Sequence, residues 1–192
     1  MPQKTLPIDN AQLRSFLIDH EDLLLLPKPD PIQPDTIGTS VLGGPRRRVI
    51  GVGRNIDETG FSQDELDMFE ENTVNMGLQT RDINKDGITK EEALILLGND
   101  IRTRSQDIQK LIPQFSQFSP AQQAALISLH FTTGSGGFRG FDNMIKALNE
   151  SRPNFSRASK EMLNSKRFRD RQVSERRALQ EASMLETGRF IQ

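Results

Sequence analysis

Before three of the predicted helices in this chain of 192 residues, a Ser or Thr is followed three residues later by a Glu or Gln. This spacing is typical of a capping box, in which the two side chains satisfy free N–H groups at the start of a helix. The pairs are Ser62 with Glu65, Thr89 with Glu92, and Ser119 with Gln122. Apolar residues at helical spacing follow the second and third pairs, so the sequence predicts a mainly helical fold.

The capping boxes and the apolar periodicity together predict seven helices. They cover residues 10–21, 62–77, 89–111, 119–131, 141–149, 155–164 and 174–186. The helix after Thr89 is the longest, and at about 1.5 Å per residue it is long enough to connect two lobes. The glycine-rich stretch at residues 134–140 is interpreted as a turn, because no strand precedes it as in a phosphate-binding loop.

A small β region is predicted between residues 21 and 53. Prolines at positions 27, 29, 31 and 34 exclude helix there and favour an extended backbone. Residues 36–42 and 46–53 are rich in β-branched side chains and flank a Gly-Gly-Pro turn, which is typical of a β-hairpin. The three arginines at positions 46–48 are interpreted as charges that keep an edge strand soluble, with contact to a phosphate or glycan as the alternative.

Composition narrows the class of protein. A chain of this size with 34% apolar and 27% charged residues suits one globular domain with a sizeable core. Residues 1–100 carry 10 Lys or Arg against 18 Asp or Glu, whereas residues 101–192 carry 15 against 8. We interpret this asymmetry as internal complementarity together with solvated helix faces, and a basic face for a polyanion is the alternative. The basic half lacks interleaved aromatic residues and any known reader motif, so no nucleic-acid partner is expected.

Residue content also excludes several kinds of site. The chain has no cysteine, which rules out thiol and zinc-thiolate chemistry. No apolar run is long enough for membrane insertion, and the first residues lack the layout of a secretory signal. His20 and His130 are the only histidines and lie on different predicted helices, so we expect no metal site and no cofactor. His130 is expected to pack inside the core.

The segment DINKDG, which begins at Asp82, resembles the start of a calcium-binding loop. Asp82, Asn84, Asp86 and Gly87 fit the first, third, fifth and sixth positions of such a loop. The glutamate required at the twelfth position is replaced by Ala93. A turn followed by a helix cap is therefore the preferred interpretation, and a calcium-binding module is the alternative.

Two carboxylates nine residues apart, Glu21 and Asp30, are the candidate reacting groups. Glycoside hydrolysis uses one protonated acid and one ionised partner, which need unequal surroundings. Glu21 lies at the C-terminal end of a predicted helix beside Asp22, where the helix dipole favours the protonated form. Asp30 lies in the exposed proline-rich segment beside Lys28, which suits the ionised partner. Paired surface carboxylates are also common, so the pair alone does not establish an activity.

The order of segments along the chain resembles that of the tailed-phage lysozymes, muramidases that cleave peptidoglycan. The matching segments are HED with Asp30 nine residues after its glutamate, VIGVGRNID (49–57), GITKEEALILLGNDI (87–101), AALISLHFTTGSGGFRGF (124–141) and EMLNSKRFRDRQVSERR (161–177). Together they span about residues 13–190 in family order.

The resemblance implies one lysozyme-like domain over residues 1–192, of α+β, mainly helical class. Residues 9–88 are expected to form an N-terminal lobe with a helix and a small β-hairpin. Residues 89–192 are expected to supply the long connecting helix and a helical C-terminal lobe, with a cleft between the lobes.

The resemblance also implies the reaction and its residues. Glu21 is implied to be the general acid and Asp30 the second carboxylate of an inverting cleavage of the β-1,4 bond between N-acetylmuramic acid and N-acetylglucosamine. Inversion predicts carboxyl groups roughly 6.5 to 9.5 Å apart. Arg176 is implied to approach Glu21, and Arg54 to face Asp100.

Three features differ from the family pattern. Asp22 replaces the glycine that usually follows the catalytic glutamate, and Val49 replaces the threonine that holds the attacking water. An inserted segment carries Thr36, fifteen residues after the predicted acid, as in the uninterrupted pattern. We expect Thr36 to supply the hydroxyl, with Thr39 or Ser40 as substitutes, because valine cannot orient a water. Loss of the water-holding role is the alternative.

The sequence therefore predicts a lysozyme, a glycoside hydrolase that degrades the bacterial cell wall. The alternative is a catalytically impaired, lysozyme-fold part of a phage tail that binds peptidoglycan without cutting it. The expected partner is peptidoglycan, together with tail or baseplate proteins if the protein is carried in the particle. The expected location is the virion tail, or the host cytoplasm with release through a separate membrane pore.

Overall fold

The computed structural model describes residues 11–29, 48–169 and 173–191 of the chain. In chain order the elements are α1 (Ala11–Glu21), β1 (Leu24–Pro29), β2 (Arg48–Gly51), β3 (Arg54–Asn55), α2 (Ile56–Thr59), α3 (Gln63–Asn75), α4 (Ile83–Asp86), α5 (Lys90–Leu111), a 3₁₀ turn (Phe115–Gln117), α6 (Pro120–Arg139), α7 (Asp142–Leu148), α8 (Phe155–Leu163), α9 (Lys166–Arg169) and α10 (Glu175–Thr187). The predicted α+β, mainly helical class is confirmed. None of the helices in these ranges is long and apolar enough to cross a membrane.

The predicted helix starts are confirmed because each depends on a local hydrogen-bond pattern. At α3, the Ser62 hydroxyl accepts from the Glu65 N–H while the Glu65 carboxylate accepts from the Ser62 N–H. The same reciprocal pair opens α5 through Thr89 and Glu92. It also opens α6, where proline follows the capping serine. Gly188 closes α10 in the left-handed conformation, with φ of 69°.

The sheet has the order β1-β2-β3, and both pairings are antiparallel. Val49 of β2 is opposite Lys28 of β1 on one side and Asn55 of β3 on the other. Both edges of β2 are therefore occupied, and the hairpin predicted between residues 36–42 and 46–53 is wrong for residues 48–51. The hairpin found in the described part of the chain joins β2 to β3. Residues 36–42 lie outside the described part of the chain.

The chain divides into two compact units. One consists of Glu21–Asn99, and the other of the described residues up to His20 and from Asp100 onward. The first has a core of buried apolar side chains: Ile50, Ile56, Phe69, Ile88, Ala93 and Leu96. In the second, α10 packs against α6 and α8, and α8 packs against α7. The sequence groups α1 with the strands, whereas this division places α1 up to His20 with the C-terminal helices.

The glycine-rich stretch after the centre of α6 is more helical than predicted. Gly134 has φ of 64° and ψ of 176°, which interrupts the helix at that residue. Residues 135–139 then resume helical geometry up to Gly140. The prediction of a turn is therefore correct for Gly134 and wrong for the residues that follow, because a single left-handed glycine kinks the helix without ending it.

The segment that resembles a calcium loop instead folds as a short helix that is fixed to β1. The Asp82 side chain accepts from the Asn84 N–H and caps α4, while Asp86 accepts from the Asp82 N–H. The N–H of Ile88 donates to the carbonyl oxygen of Leu25 at 2.8 Å. The predicted helix cap at Thr89 is thus confirmed, whereas residues 83–86 form a short helix where a turn was predicted.

Candidate active site

The predicted acid, Glu21, is the last residue of α1 and is half-buried. Asp22 follows it with φ of 62°, the one non-glycine residue with positive φ in the described ranges. A left-handed residue ends a helix abruptly, and glycine adopts this conformation most readily. This geometry explains why a glycine suits the position after the glutamate, and why Asp22 carries a backbone cost there.

The carboxylate of Glu21 packs against the turn between β2 and β3. A Cβ atom added to Gly53 would lie 2.8 Å from Oε2 of Glu21 and 3.2 Å from its Cδ. Gly53 also has φ of 68°, a backbone conformation that favours glycine, and a larger residue there would displace the Glu21 side chain. The second glycine of the VIGVG motif therefore fixes how closely the predicted acid approaches the sheet.

The other predicted groups of the reaction lie outside the described residues. Asp30 follows β1, whose last residue, Pro29, pairs with Arg48. Thr36, with its substitutes Thr39 and Ser40, also lies outside, so its role stays a prediction. Val49 is 7% exposed and sits in the central strand, where its side chain is part of the core.

Arg48, the described member of the three-arginine run, forms an ion pair. Its Nη2 atom lies 2.6 Å from Oδ1 of Asp57, and its main-chain N–H donates to the same carboxylate at 2.7 Å. Its Nη1 atom donates to Asn84. The side-chain hydrogen bonds from Arg48, and to a smaller extent the one from its main-chain N–H, hold the pKa of Asp57 below its usual value. Arg48 therefore links the start of β2 to α2 and α4.

Arg54 lies at the start of β3 and is buried with a carboxylate that the sequence did not assign to it. Its guanidinium makes two hydrogen bonds to Glu65, at 2.7 and 3.0 Å. Asn99 donates to the same carboxylate at 2.8 Å. Burial raises the pKa of Glu65, but the hydrogen bonds from Arg54, Asn99 and the Ser62 N–H outweigh it and hold the pKa below its ordinary value. The predicted pairing of Arg54 with Asp100 joins the two units and stays a prediction.

Arg176 lies exposed in the first turn of α10, next to a buried group of charges. Its neighbour Arg177 donates through Nε to Glu181 at 3.1 Å, and Arg167 donates to the same carboxylate at 2.9 Å. Ser128 of α6 donates to Glu181 at 2.6 Å. This cluster fixes the first turns of α10. The predicted approach of Arg176 to the acid stays a prediction.

His130 is packed in the C-terminal unit, as the sequence predicted. It is 2% exposed, and its two ring nitrogens lie 3.4 Å from Arg104 Nη1 and from Ser135 Oγ. Burial, and then the charge of Arg104, lower its pKa to about 4. The ring is therefore neutral near pH 7. Among the described residues, no three His, Asp or Glu side chains are grouped so as to hold a metal ion.

Sequence reasoning missed three residues that shape this region: Gly53, Glu65 and Gln180. Gly53 belongs to the motif VIGVG, whose glycines signal a close approach of the backbone. Glu65 was recognised as a cap, but the same carboxylate also binds Arg54. Gln180 gives no local signal, because its partner His20 is 160 positions away.

Comparison with known families gives one result. A family model described as phage lysozyme matches residues 57–180. The match covers more than half of the chain and includes Asp100 and Arg176, whereas Glu21, Asp30 and Arg54 precede it. A comparison with curated proteins gives no match.

Proposed function

Because this chain belongs to the phage lysozyme family, we propose that it hydrolyses the β-1,4 bond between N-acetylmuramic acid and N-acetylglucosamine in bacterial peptidoglycan. The family relationship supports a peptidoglycan hydrolase of the glycosidase type. The proposal goes further and names the bond that is cut and the residues that cut it. The observation that carries them is the position of Glu21, at the end of α1 with its carboxylate against Gly53.

Glu21 acts in this proposal as the general acid that protonates the leaving glycosidic oxygen. The half-buried end of α1 gives the acid limited contact with water, which favours proton transfer to a bound sugar. Asp30 is the ionised second carboxylate, and Thr36 holds the water that attacks the opposite face of the ring. This arrangement inverts the configuration at the anomeric carbon.

The catalytic assignment is tested with Glu21→Gln and with Asp19→Asn as a matched control. Asp19 is an exposed acid on the same helix, so its replacement removes a charge without touching the proposed site. We expect Glu21→Gln to abolish the clearing of a suspension of permeabilised bacteria and Asp19→Asn to leave it unchanged. Equal clearing by Glu21→Gln and wild type would remove Glu21 from the mechanism.

Asp30→Asn tests the second carboxylate. We expect hydrolysis to fall by at least about a hundredfold, because the ionised partner is needed to activate water or stabilise the transition state. The melting temperature should change little, since the sequence places Asp30 in an exposed segment. A loss of melting temperature large enough to explain the lost activity would count against this role.

The bond that is cut is identified from the new chain ends. A muramidase releases reducing ends of N-acetylmuramic acid, and a glucosaminidase releases reducing ends of N-acetylglucosamine. A lytic transglycosylase leaves an anhydro sugar with no reducing end. Proton NMR of the first product then shows whether the anomeric configuration is inverted.

A second candidate function is binding of peptidoglycan without hydrolysis. Two observations favour it: Val49 is buried where the family has a water-holding threonine, and Asp22 takes the left-handed position that suits glycine. Sedimentation with insoluble peptidoglycan measures binding independently of cleavage. Binding by the wild type with no release of reducing ends would favour this candidate.

We also propose that the protein acts either as part of the phage tail or after release from the host cytoplasm. The two locations differ in a direct observable. Mass spectrometry of purified virions detects the protein in the first case and not in the second. Co-purification with tail or baseplate proteins would identify its partners there.

A further inference from the structure

His20, which directly precedes Glu21, joins the last turn of α1 to α10. Its Nε2 atom lies 3.0 Å from Oε1 of Gln180. Phe16, one helical turn earlier, meets the imidazole edge-on, with ring centroids 4.7 Å apart. The end of α1 is therefore held by a directed side-chain hydrogen bond in addition to apolar packing.

The hydrogen-bond partner of His20 is itself on a fixed element. Next to Gln180, Glu181 is fully buried and accepts from Ser128, Arg167 and Arg177 at 2.6, 2.9 and 3.1 Å. Ser128 belongs to α6, so the cluster holds α10 to the central helix of this unit. The segment of α10 that carries Gln180 is therefore fixed within this unit.

The chemistry of the two side chains defines the state of the ring. An amide oxygen can only accept, so Nε2 of His20 carries the proton of the bond to Gln180. Burial, and then the charge of Arg177, lower the pKa of His20, and Arg176 adds to this effect. The bond to Gln180 and the charge of Glu181 act in the opposite direction but are smaller in sum. The ring is neutral near pH 7, with its single N–H directed at Gln180.

We propose that His20 is a positioning residue for Glu21, and that Gln180 sets its orientation. The inference rests on the proposed role of Glu21 as general acid. His20 acts through the peptide bond that joins it to Glu21, without touching substrate. Misplacement of a reacting group by about 1 Å costs roughly a hundredfold in rate, so one hydrogen bond at the adjacent residue is enough to control it. Gln180 also lies four residues after Arg176, on the same face of α10.

A matched pair of variants tests the hydrogen bond. Glutamine at position 20 can place an amide N–H near the position of Nε2, whereas asparagine is too short to reach Gln180. Both replacements are neutral and polar. We measure kcat and KM on solubilised peptidoglycan chains. We expect His20→Gln to stay within about threefold of the wild-type kcat and His20→Asn to fall about tenfold or more, with KM within about twofold in both.

A third variant breaks the bond from the other side. Gln180→Met keeps the length of the side chain but has no strong acceptor, so we expect the same loss of kcat as for His20→Asn. Because the chain has two histidines, nitrogen NMR resolves the ring of His20 directly. The wild type should show Nε2 protonated, and Gln180→Met should show a mixture of tautomers.

The inference is overturned if His20→Asn and His20→Gln have equal kcat, or if the kcat of each variant falls only as far as its folded fraction at the assay temperature. Melting curves supply that fraction. If Gln180→Met fails to fold, the pair at position 20 decides alone. A Glu21→Gln protein as active as wild type would instead refute the proposed function, so the two failures are distinct.

Discussion

Replacing Gly53 by alanine tests whether the approach of Glu21 to the sheet determines activity. The added Cβ would lie 2.8 Å from Oε2 of Glu21, whereas ordinary contacts of such an atom begin near 3.4 Å. The carboxylate must therefore move by about 0.6 Å, or the turn must shift by as much. Alanine must also adopt φ of 68°, which costs about 1–2 kcal/mol.

These two effects predict different changes in stability and in rate. The backbone cost corresponds to a fall in melting temperature of about 2–8 °C for a chain of this length. The displaced carboxylate has a larger effect on catalysis, because misplacing a reacting group by about 1 Å can lower the rate about a hundredfold and the shift here is more than half of that. We therefore expect kcat to fall much further than the folded fraction.

Gly51→Ala is the matched control for this variant. Gly51 has nearly the same backbone conformation, with φ of 66°, but its added Cβ would meet Ile88, Leu96 and Ala93 at 3.9–4.0 Å, which is ordinary contact. We expect a similar fall in melting temperature and little change in kcat per folded molecule. Melting curves and initial rates of reducing-end release give both quantities. Equal kcat in the two alanine variants would refute the reasoning.

Three further predictions concern stability. Asp22→Gly should raise the free energy of unfolding by about 1 kcal/mol, because glycine adopts the left-handed backbone at φ of 62° more readily. A lower melting temperature of the variant in calorimetry would contradict this. Glu65→Gln should lower the free energy of unfolding, measured in urea, by about 3 kcal/mol, because it leaves the charge of Arg54 buried without its carboxylate. A loss below about 1 kcal/mol would show that the ion pair contributes little. His130 has a pKa of about 4 when folded against 6.5 in the unfolded chain, so the unfolded state binds its proton first and stability falls as pH drops from about 6.5 to about 4. The loss should reach about 3 kcal/mol, and a His130→Gln protein with the same pH dependence as wild type would exclude this source.

The parts of the fold that the sequence predicts correctly depend on neighbouring residues. The capping box of Ser62 and Glu65 lies within four positions, and a helix start needs nothing more distant. The proline-rich stretch likewise determines the extended backbone of β1. These signals act before any tertiary contact forms, so they can be recognised from the sequence.

The parts that the sequence did not predict depend on contacts between distant segments. Strand β2 pairs with β1 and β3, which the sequence did not predict, because β-branched composition identifies a strand but not its partner. Glu65 binds both its own helix start and Arg54, and a sequence pattern reveals only the first role. The hydrogen bond between His20 and Gln180 is of the same kind, since neither residue belongs to a periodic pattern.

Among the described strands, β1 lies at one edge of the small sheet, and this position bears on aggregation. An exposed edge strand with apolar side chains can recruit a strand from another molecule, and β1 exposes two such residues, Leu25 at 40% and Leu26 at 51%. However, the carbonyl oxygen of Leu25 is already occupied by the N–H of Ile88, and the prolines at positions 27 and 29 have no N–H to offer. The short helix after Asp82 and the two prolines therefore deprive a second chain of the hydrogen bonds it would need. Through them, β1 keeps apolar side chains at the surface while offering an incoming strand fewer hydrogen bonds than a regular edge strand would.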